Sequence, residues 1–236
     1  MKERSLLLVQ PAEPHPCSYL DGEQSLSLYV DPKADLDADM LTLLSLNGFR
    51  RSGRLVYRPN CPNCQACLST RLRSFEFLPN KSQKRIVKRN LDLTLSVEIP
   101  TNSDEFYALF EHYINERHSD GDMYPASREQ FGDFLTQDFG TTRYLVARQQ
   151  QKIIACMVFD VLHDGLSSVY CFYDPSEEAR SLGTLMIVRL TQLTYALGLP
   201  YNYLGYFVAG SPKMDYKRHF KPQEVWLDGR WQWLQN

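Results

Sequence analysis

The second half of the chain carries an ordered succession of patterns that few folds accommodate. Ser103-Asp104-Glu105-Phe106 begins like a helix, and Phe106, Leu109, Phe110 and Tyr113 then share one face. A second helix is predicted from Ser127 to Leu135, and strands are predicted over 142–148, 153–162 and 166–173. His163-Asp164-Gly165 between the last two is a hairpin signal, so those strands should pair antiparallel. Leu182 to Leu197 is an apolar helix ended by Gly198 and Pro200, and Tyr201 to Gly205 reads as a further strand. Helix, helix, three antiparallel strands, helix and strand specify an α+β class, a mixed sheet with helices packed on it.

The first half is less regular. Strands are predicted at 5–9, 54–58 and 68–73, with loop and then a short strand over 16–30. A helix over Asp35–Leu46 stops at Asn47-Gly48, a second covers Lys81 to Asn90, and Leu91 to Ile99 alternates as a strand. Pro100-Thr101-Asn102-Ser103 then breaks the pattern. The expected organisation is a smaller N-terminal α+β domain over 1–100 and a larger domain over 101–236. In the latter a basic loop, Pro212 to Pro222, precedes a last strand around Glu224–Leu227.

Overall composition is that of an ordinary globular chain, 43% hydrophobic and 23% charged. No apolar run approaches 18 residues, so no membrane helix is expected. The apolar stretch at the start is short and follows Glu3, unlike a signal peptide, so the expected location is cytoplasmic and the expected state a monomer. The charge distribution is more telling. Residues 50–90 hold eleven Lys or Arg against one acid, +10 in a chain of net −2, so the rest carries −12. A positive field on an otherwise acidic protein is the footprint of a polyanion partner. Lys81, Lys84, Arg85, Lys88 and Arg89 stand at i, i+3, i+4, i+7 and i+8, five cations on one helical face. Such a face is self-repelling, and a phosphate backbone would favour it by counterion release; the plainer alternative is a solvated basic face.

Cys61, Cys64 and Cys67 stand at two-residue spacing around Pro62 and Asn63, which suits metal or thiol chemistry better than a disulfide framework. With Cys17 as fourth thiol, and His15 or His219 as weaker candidates, the set matches tetrahedral zinc or an iron–sulfur cluster. Free thiols packing a loop are the alternative. Cys156 and Cys171 lie in apolar strands and read as small buried hydrophobes. Asp174, after Tyr170-Cys171-Phe172-Tyr173, ends a strand beside a helix start, well placed to orient a substrate amine, or else it is a turn-forming Asp-Pro. Tyr203 to Lys217 is dense in glycine, aromatics and cations. There the glycines permit close approach of a ligand, and Tyr206, Phe207 and Tyr216 can stack on bases or close an aromatic core edge. His112 and His118, six apart on a helix, do not share a ligand face.

Cys17-Ser18-Tyr19-Leu20, Gly48-Phe49-Arg50-Arg51-Ser52-Gly53 and Tyr57-Arg58-Pro59 with Cys61 resemble the N-terminal part of aminoacyl-tRNA–protein transferases. Phe172-Tyr173-Asp174-Pro175, Ser181-Leu182-Gly183 and Ser211-Pro212-Lys213-Met214-Asp215-Tyr216-Lys217 resemble the C-terminal part. The likeness runs from about residue 15 to residue 226. Length and the cysteine loop are similar to the bacterial branch, the aspartate/glutamate leucyltransferases, which move leucine from leucyl-tRNA to proteins beginning with Asp or Glu and so mark them for degradation along the N-degron route. Eukaryotic relatives transfer arginine and carry a second cysteine where this chain has Leu20. The resemblance implies an acetyltransferase-like (GNAT-like) fold for the second half. The coenzyme A loop of such folds needs a small residue where this chain has Leu185, after Arg180 and Gly183, which counts against that cofactor.

From this resemblance the expected chemistry is attack of the acceptor's α-amine on an aminoacyl ester, with no cofactor required. Asp174, Tyr173 and Tyr216 are the expected catalytic residues, with backbone amides near Gly205 as further oxyanion donors. Arg50, Arg51, Arg58 and Lys213 are expected to hold the acidic first residue, and Arg54, Lys81, Lys84, Arg85, Lys88, Arg89 and Lys217 the tRNA. The leucyl side chain is expected in an apolar pocket from residues 157–172. Three alternatives stand beside this: an arginyltransferase, a coenzyme A acetyltransferase, and a non-catalytic RNA-binding module.

Overall fold

In the computed structural model the described residues are 6–121, 123–136 and 139–234. The first elements are short: β1 (Leu8–Val9), β2 (His15–Pro16), β3 (Gln24–Ser25), β4 (Ser27–Val30), α1 (Ala38–Leu46), β5 (Arg50–Ser52) and β6 (Leu55–Pro59). Then come β7 (Cys67–Arg73), α2 (Lys81–Arg89), β8 (Leu93–Glu98), α3 (Asp104–Arg117), α4 (Arg128–Leu135), β9 (Thr142–Gln149), β10 (Lys152–Leu162) and β11 (Gly165–Tyr173). Helix α5 (Leu182–Ala196), β12 (Tyr201–Val208) and the hairpin β13 (Gln223–Leu227) with β14 (Arg230–Trp233) complete the order.

The helices expected from periodicity and breakers are present, and the caps explain their edges. Asp37 accepts from the Met40 N–H at the start of α1, and Asn80 and Gln83 form a reciprocal capping box at the start of α2. Gly48, at φ +79°, ends α1 in a conformation that costs glycine nothing. Two strands had no sequence signal. β5 is a three-residue arm of a hairpin turned at Gly53 (φ +57°), and β14 pairs with β13 across a turn at Asp228-Gly229.

The main sheet has eight strands in the order β14-β13-β7-β12-β11-β10-β9-β8. The break at Pro100 therefore does not divide two sheets, because β7 and β8 from the first hundred residues join the strands of the second half. Alternation along β9 decides the layers: Tyr144 and Val146 face one side, Leu145 and Ala147 the other. The first side buries Phe106, Phe110, Ile114, Phe131 and Leu135 of α3 and α4 against Phe172 and Val158. The second buries Leu182, Leu185, Met186 and Leu190 of α5 against Met157, Leu166 and Leu204. Each such side chain contributes roughly 1.5–3 kcal/mol of burial, which fixes the sheet as the rigid frame of the molecule. Leu185 turns into this core at 1% exposure and does not itself close the start of α5 to a phosphate. The smaller sheet, β1-β4-β6-β5, packs with α1 over Leu162 and Tyr203.

β11 and β12 are parallel, joined by α5, and pair only from Gly165↔Tyr201 to Ser167↔Tyr203. Both strands run on, β11 to Tyr173 and β12 to Val208, so beyond Ser167 and Tyr203 they part. A mixed sheet with helices on both faces is the α+β class that the order of elements predicts.

Candidate active site between the parted strands

Strands that part expose carbonyls and amides that need other partners. Two cations fill the gap. Arg50 on β5 donates through Nη2 to the carbonyl of Ser168, 2.6 Å away and the first residue of β11 beyond the paired stretch. Lys217, in a short 3-10 segment (Asp215–His219), donates through Nζ to the Tyr206 carbonyl on β12 at 2.5 Å. Arg50 is 7% exposed and Lys217 5%. Between them lies Gly205, at φ +83°, where the pairing of β12 with β7 slips by one residue. A Cβ there would stand 3.6 Å from Lys217 Nζ and 3.8 Å from Arg50 Nε and Nη2, so both cations border the space that glycine leaves.

Burial sets the electrostatics. Desolvation lowers the Arg50 guanidinium below its ordinary value, and desolvation followed by the field of Arg50 lowers the Lys217 ammonium to about 7. Tyr57 and Tyr206 stand beside them with ring centroids 5.9 Å apart, and burial raises both phenols, which stay neutral. The Tyr206 hydroxyl donates toward the carbonyls of Gly48 and Tyr57 and ties α1's end to the gap. These tyrosines floor a cleft of about 580 Å³ that is also lined by Cys17, Tyr19, Arg58, Cys67 and Ser69.

The other expected residues fall into distinct places. Arg51 is committed: Nε and Nη2 reach Asp160 at 2.5 and 2.9 Å, Nη2 also reaches Thr142, and Nη1 reaches the Gly53 carbonyl, all nearly buried. It holds β5 to β10, with four of its five N–H donors engaged in a nearly buried pair. Asp174 is likewise engaged, accepting from Lys152 Nζ (2.7 Å) and from Ser176 N and Oγ (3.0 and 2.5 Å). Burial raises its carboxyl, but these hydrogen bonds outweigh burial and hold it below the usual range. The short 3-10 segment Pro175–Arg180 starts at Asp174, which caps it. A carboxylate so bound is a positioning group and a poor proton acceptor. Tyr173 packs on Tyr113 at 4.8 Å, and Tyr216, in the 3-10 segment with Lys217, has its phenol raised by burial and then by the nearby Cys171 and Tyr173. Arg58 lies over the Phe49 ring at 5.1 Å, and Lys213 pairs with Asp120 at the surface.

The basic helix keeps its expected face. Lys81, Lys84, Arg85 and Lys88 are exposed, and among the described residues none of them meets a carboxylate, while Gln83, Ile86, Val87 and Asn90 turn inward. Arg89 folds back to the carbonyl of Ala179. Arg54 is exposed on the small sheet, beside a cleft with Asp35 and Asp37. Lys217 does not join this outer surface, since its amine points inward. The helix abuts the gap nonetheless, because Asn80 Nδ2 and Gln83 Nε2 both donate to the carbonyl of His219, two residues beyond Lys217.

Cys17, Cys61, Cys64 and Cys67 line the same cleft. Burial, then the neighbouring Cys61, Cys17 and Cys64, push the Cys67 thiol up to about 12. Four soft donors on one wall suit zinc or an iron–sulfur cluster in kind. In spacing they do not, for among the described residues no three ligating side chains are grouped to hold an ion. Nor, among the described residues, is any helix long and apolar enough to cross a membrane.

Two family models match the chain: arginine-tRNA-protein transferase, N terminus, over residues 15–85 and the C terminus of the same family over residues 105–227. An aspartate/glutamate leucyltransferase of Teredinibacter turnerae is 45% identical over 232 residues, covering 98% of this chain and 96% of the relative. One of Pseudomonas fluorescens is 44% identical over 231 residues, covering 98% of each. Among solved structures, L-PGS from Bacillus licheniformis aligns with 64% of this chain and 50% of its own at 14% identity and a TM-score of 0.48.

Proposed function

The chain belongs to the arginine-tRNA–protein transferase family, and from that membership we propose that it transfers leucine from leucyl-tRNA to the α-amine of proteins beginning with Asp or Glu. The observation that carries the tRNA part is the face of Lys81, Lys84, Arg85 and Lys88, exposed and without acidic partners among the described residues. Four like charges within two turns repel one another, and a phosphate backbone turns that cost into binding. The helix bearing them is fastened to the segment that closes the gap between β11 and β12, so an RNA acceptor arm lying on it presents its 3′ end toward that gap.

The ester is already activated, so the protein's task is positioning and charge stabilisation. The neutral amine attacks the ester carbonyl, the C–N bond forms, and the C–O bond to the ribose breaks. The proton lost by the amine ends on the ribose hydroxyl. An α-amine with a reference pKa near 8 is partly neutral at cellular pH and needs no strong base, which agrees with an Asp174 already saturated by hydrogen bonds. Tyr173 and Tyr216 supply hydroxyl donors for the oxyanion; burial raises the Tyr173 phenol and keeps its proton in place. No step runs through a metal. We propose that the protein works as a cytoplasmic monomer, and metal analysis of protein purified without oxygen tests the four thiols.

Incubation of the purified chain with radiolabelled leucyl-tRNA and a peptide beginning with Asp tests the assignment. Label should pass to the peptide and depend on a free amino terminus. Absence of label in the peptide, with tRNA bound, would reduce the protein to an RNA-binding module.

A further inference from the structure

Three arginines on β5 and β7 are buried, and the protein treats them differently. Arg51 on β5 is met by Asp160, and Arg71 on β7 by Glu224 at 2.7 Å, each pair nearly buried. Arg50, beside Arg51 and as deeply buried, meets no carboxylate among the described residues. Its Nη1 has no hydrogen-bond partner at all. Lys217 joins it with the Tyr206 carbonyl, the Met214 sulfur and the Tyr216 ring, 5.7 Å from Nζ, for partners, and with no carboxylate among the described residues. Where a buried arginine serves only the fold, a carboxylate stands opposite it; here two buried cations stand together and none does. Leaving charges buried and uncompensated is among the costliest arrangements a fold can hold, and it makes sense if the compensating charge arrives with a ligand.

We infer that Arg50 and Lys217, bordering the space over Gly205 between the parted strands, form the pocket that reads the acidic side chain of the acceptor's first residue. This rests on the transferase reading above and names the residues behind its specificity. The burial of the pair favours a carboxylate over the tRNA backbone. The space beside Gly205 is bounded by both cations within 4 Å of where a Cβ would sit, and both are over nine-tenths buried. Buried cations suit a single small anion; a phosphodiester chain needs an open track, which the exposed face of α2 offers instead. The adjoining cleft gives a way in. Tyr57, Tyr206, Cys67 and Ser69 line it, the first three within the field of Arg50 or Lys217, and the buried Ser69 hydroxyl has no partner. A carboxylate set between the cations would offset one of the two buried charges and accept from both groups. An amide of the same shape would leave both charges unmet, so the site should discriminate sharply between Asp and Asn.

The test uses the full chain, radiolabelled leucyl-tRNA, and two peptides that differ only in beginning with Asp or Asn. Wild type should prefer Asp. In Lys217→Met the KM for the Asp peptide should rise about thirtyfold or more, the loss expected when one partner of a buried charge contact is removed. The KM for leucyl-tRNA should stay within about twofold, the Asp-over-Asn preference should collapse toward unity, and Lys217→Arg should restore part of it. A merely structural lysine would change rates without changing that ratio. An unchanged ratio in Lys217→Met overturns the assignment, as does a rise confined to the KM for leucyl-tRNA, which would put a donor phosphate on the pair. Should Lys217→Met fail to fold, Gly205→Ala serves, because its methyl occupies the space beside the amine; loss of the preference supports the pocket and retention overturns it. If wild type transfers leucine to neither peptide, the transferase reading itself falls. If it labels the Asp peptide while the variants keep the full ratio, only the pocket falls.

Discussion

Replacing Lys217 by methionine should stabilise the protein at neutral pH. Burial and the field of Arg50 bring the ammonium from its ordinary 10.5 down to about 7. At about 1.36 kcal/mol per pH unit, that difference amounts to about 5 kcal/mol against the charged form in the folded state. The folded pKa lies below the unfolded one, so between about pH 7 and 10.5 the unfolded chain holds one more proton than the folded chain. Stability then rises with pH by about 1.4 kcal/mol per unit across that window. Below pH 7 the amine is charged in both states and the full cost is present; above about 10.5 it is gone. Methionine removes the cost but leaves the Tyr206 carbonyl without its donor, about 1–3 kcal/mol in the other direction. The expected net gain is about 2 kcal/mol at pH 7, disappearing by about pH 9. Urea unfolding of both proteins between pH 6 and 9.5 measures it, and the gap should shrink with pH above 7. Parallel stability curves, or a variant less stable at pH 6, would refute the claim that Lys217 is charged and uncompensated. A variant that is more stable and yet a poor enzyme would mark the lysine as held for its site at the expense of the fold.

Arg51→Ala should cost about 3–5 kcal/mol in urea unfolding, because Asp160 is left charged and buried; a loss below about 1 kcal/mol would mean the pair is not sealed from water. Asp174→Asn should retain transfer within a few fold, since the carboxylate is already engaged by Lys152 and Ser176, and a loss beyond a hundredfold would make it a proton acceptor after all. That same variant should be less stable than wild type by about 1 kcal/mol at pH 7, a difference that closes as pH falls through the depressed carboxyl value, readable in thermal scans from pH 7 to 3. Lys84→Glu with Lys88→Glu should weaken tRNA binding and reduce the log–log salt slope by about one unit per lysine, measured by fluorescence titration; an unchanged slope would move the RNA elsewhere.

Local patterns made most of the fold legible. Periodicity in α3 and α5, the Asp-Gly turn between β10 and β11, and the breakers at Asn47-Gly48 and Gly198-Leu199-Pro200 act over a few residues, and each element stands within a few residues of its expected place. β5 escaped because three residues, two of them arginine, carry no alternation. The break at Pro100 misled because β7 and β8 pair across it with strands more than forty residues later, and pairing at that range leaves no local mark. The site was legible in kind and not in arrangement. Arg50-Arg51 reads as two equivalent cations, yet alternation on β5 sends their side chains to opposite partners: one to Asp160 of β10, the other to the carbonyl of Ser168 on β11. Lys217 looked like a surface cation in a basic loop. Only the packing of that loop on β12, where the amine meets the Tyr206 carbonyl eleven residues earlier, turns it inward.

The two kinds of cation then divide the work by burial. Exposed lysines on α2 keep their water and gain from any polyanion through counterion release, with little regard for its shape. Buried Arg50 and Lys217 have lost their water and gain only from an anion that fits, which makes them selective. Both sets are fastened to one short segment: Asn80 and Gln83 of α2 grip the His219 carbonyl, and Lys217 within that segment grips β12. On the proposed roles, the donor and acceptor determinants are held at a fixed spacing by these hydrogen bonds. Gln83→Ala, which removes one grip without touching any charge, should raise the KM for leucyl-tRNA and the KM for the Asp peptide together, by a few fold each, in the same steady-state assay. If only one of the two constants moves, the segment does not couple the sites, and the basic helix and the buried pair act independently.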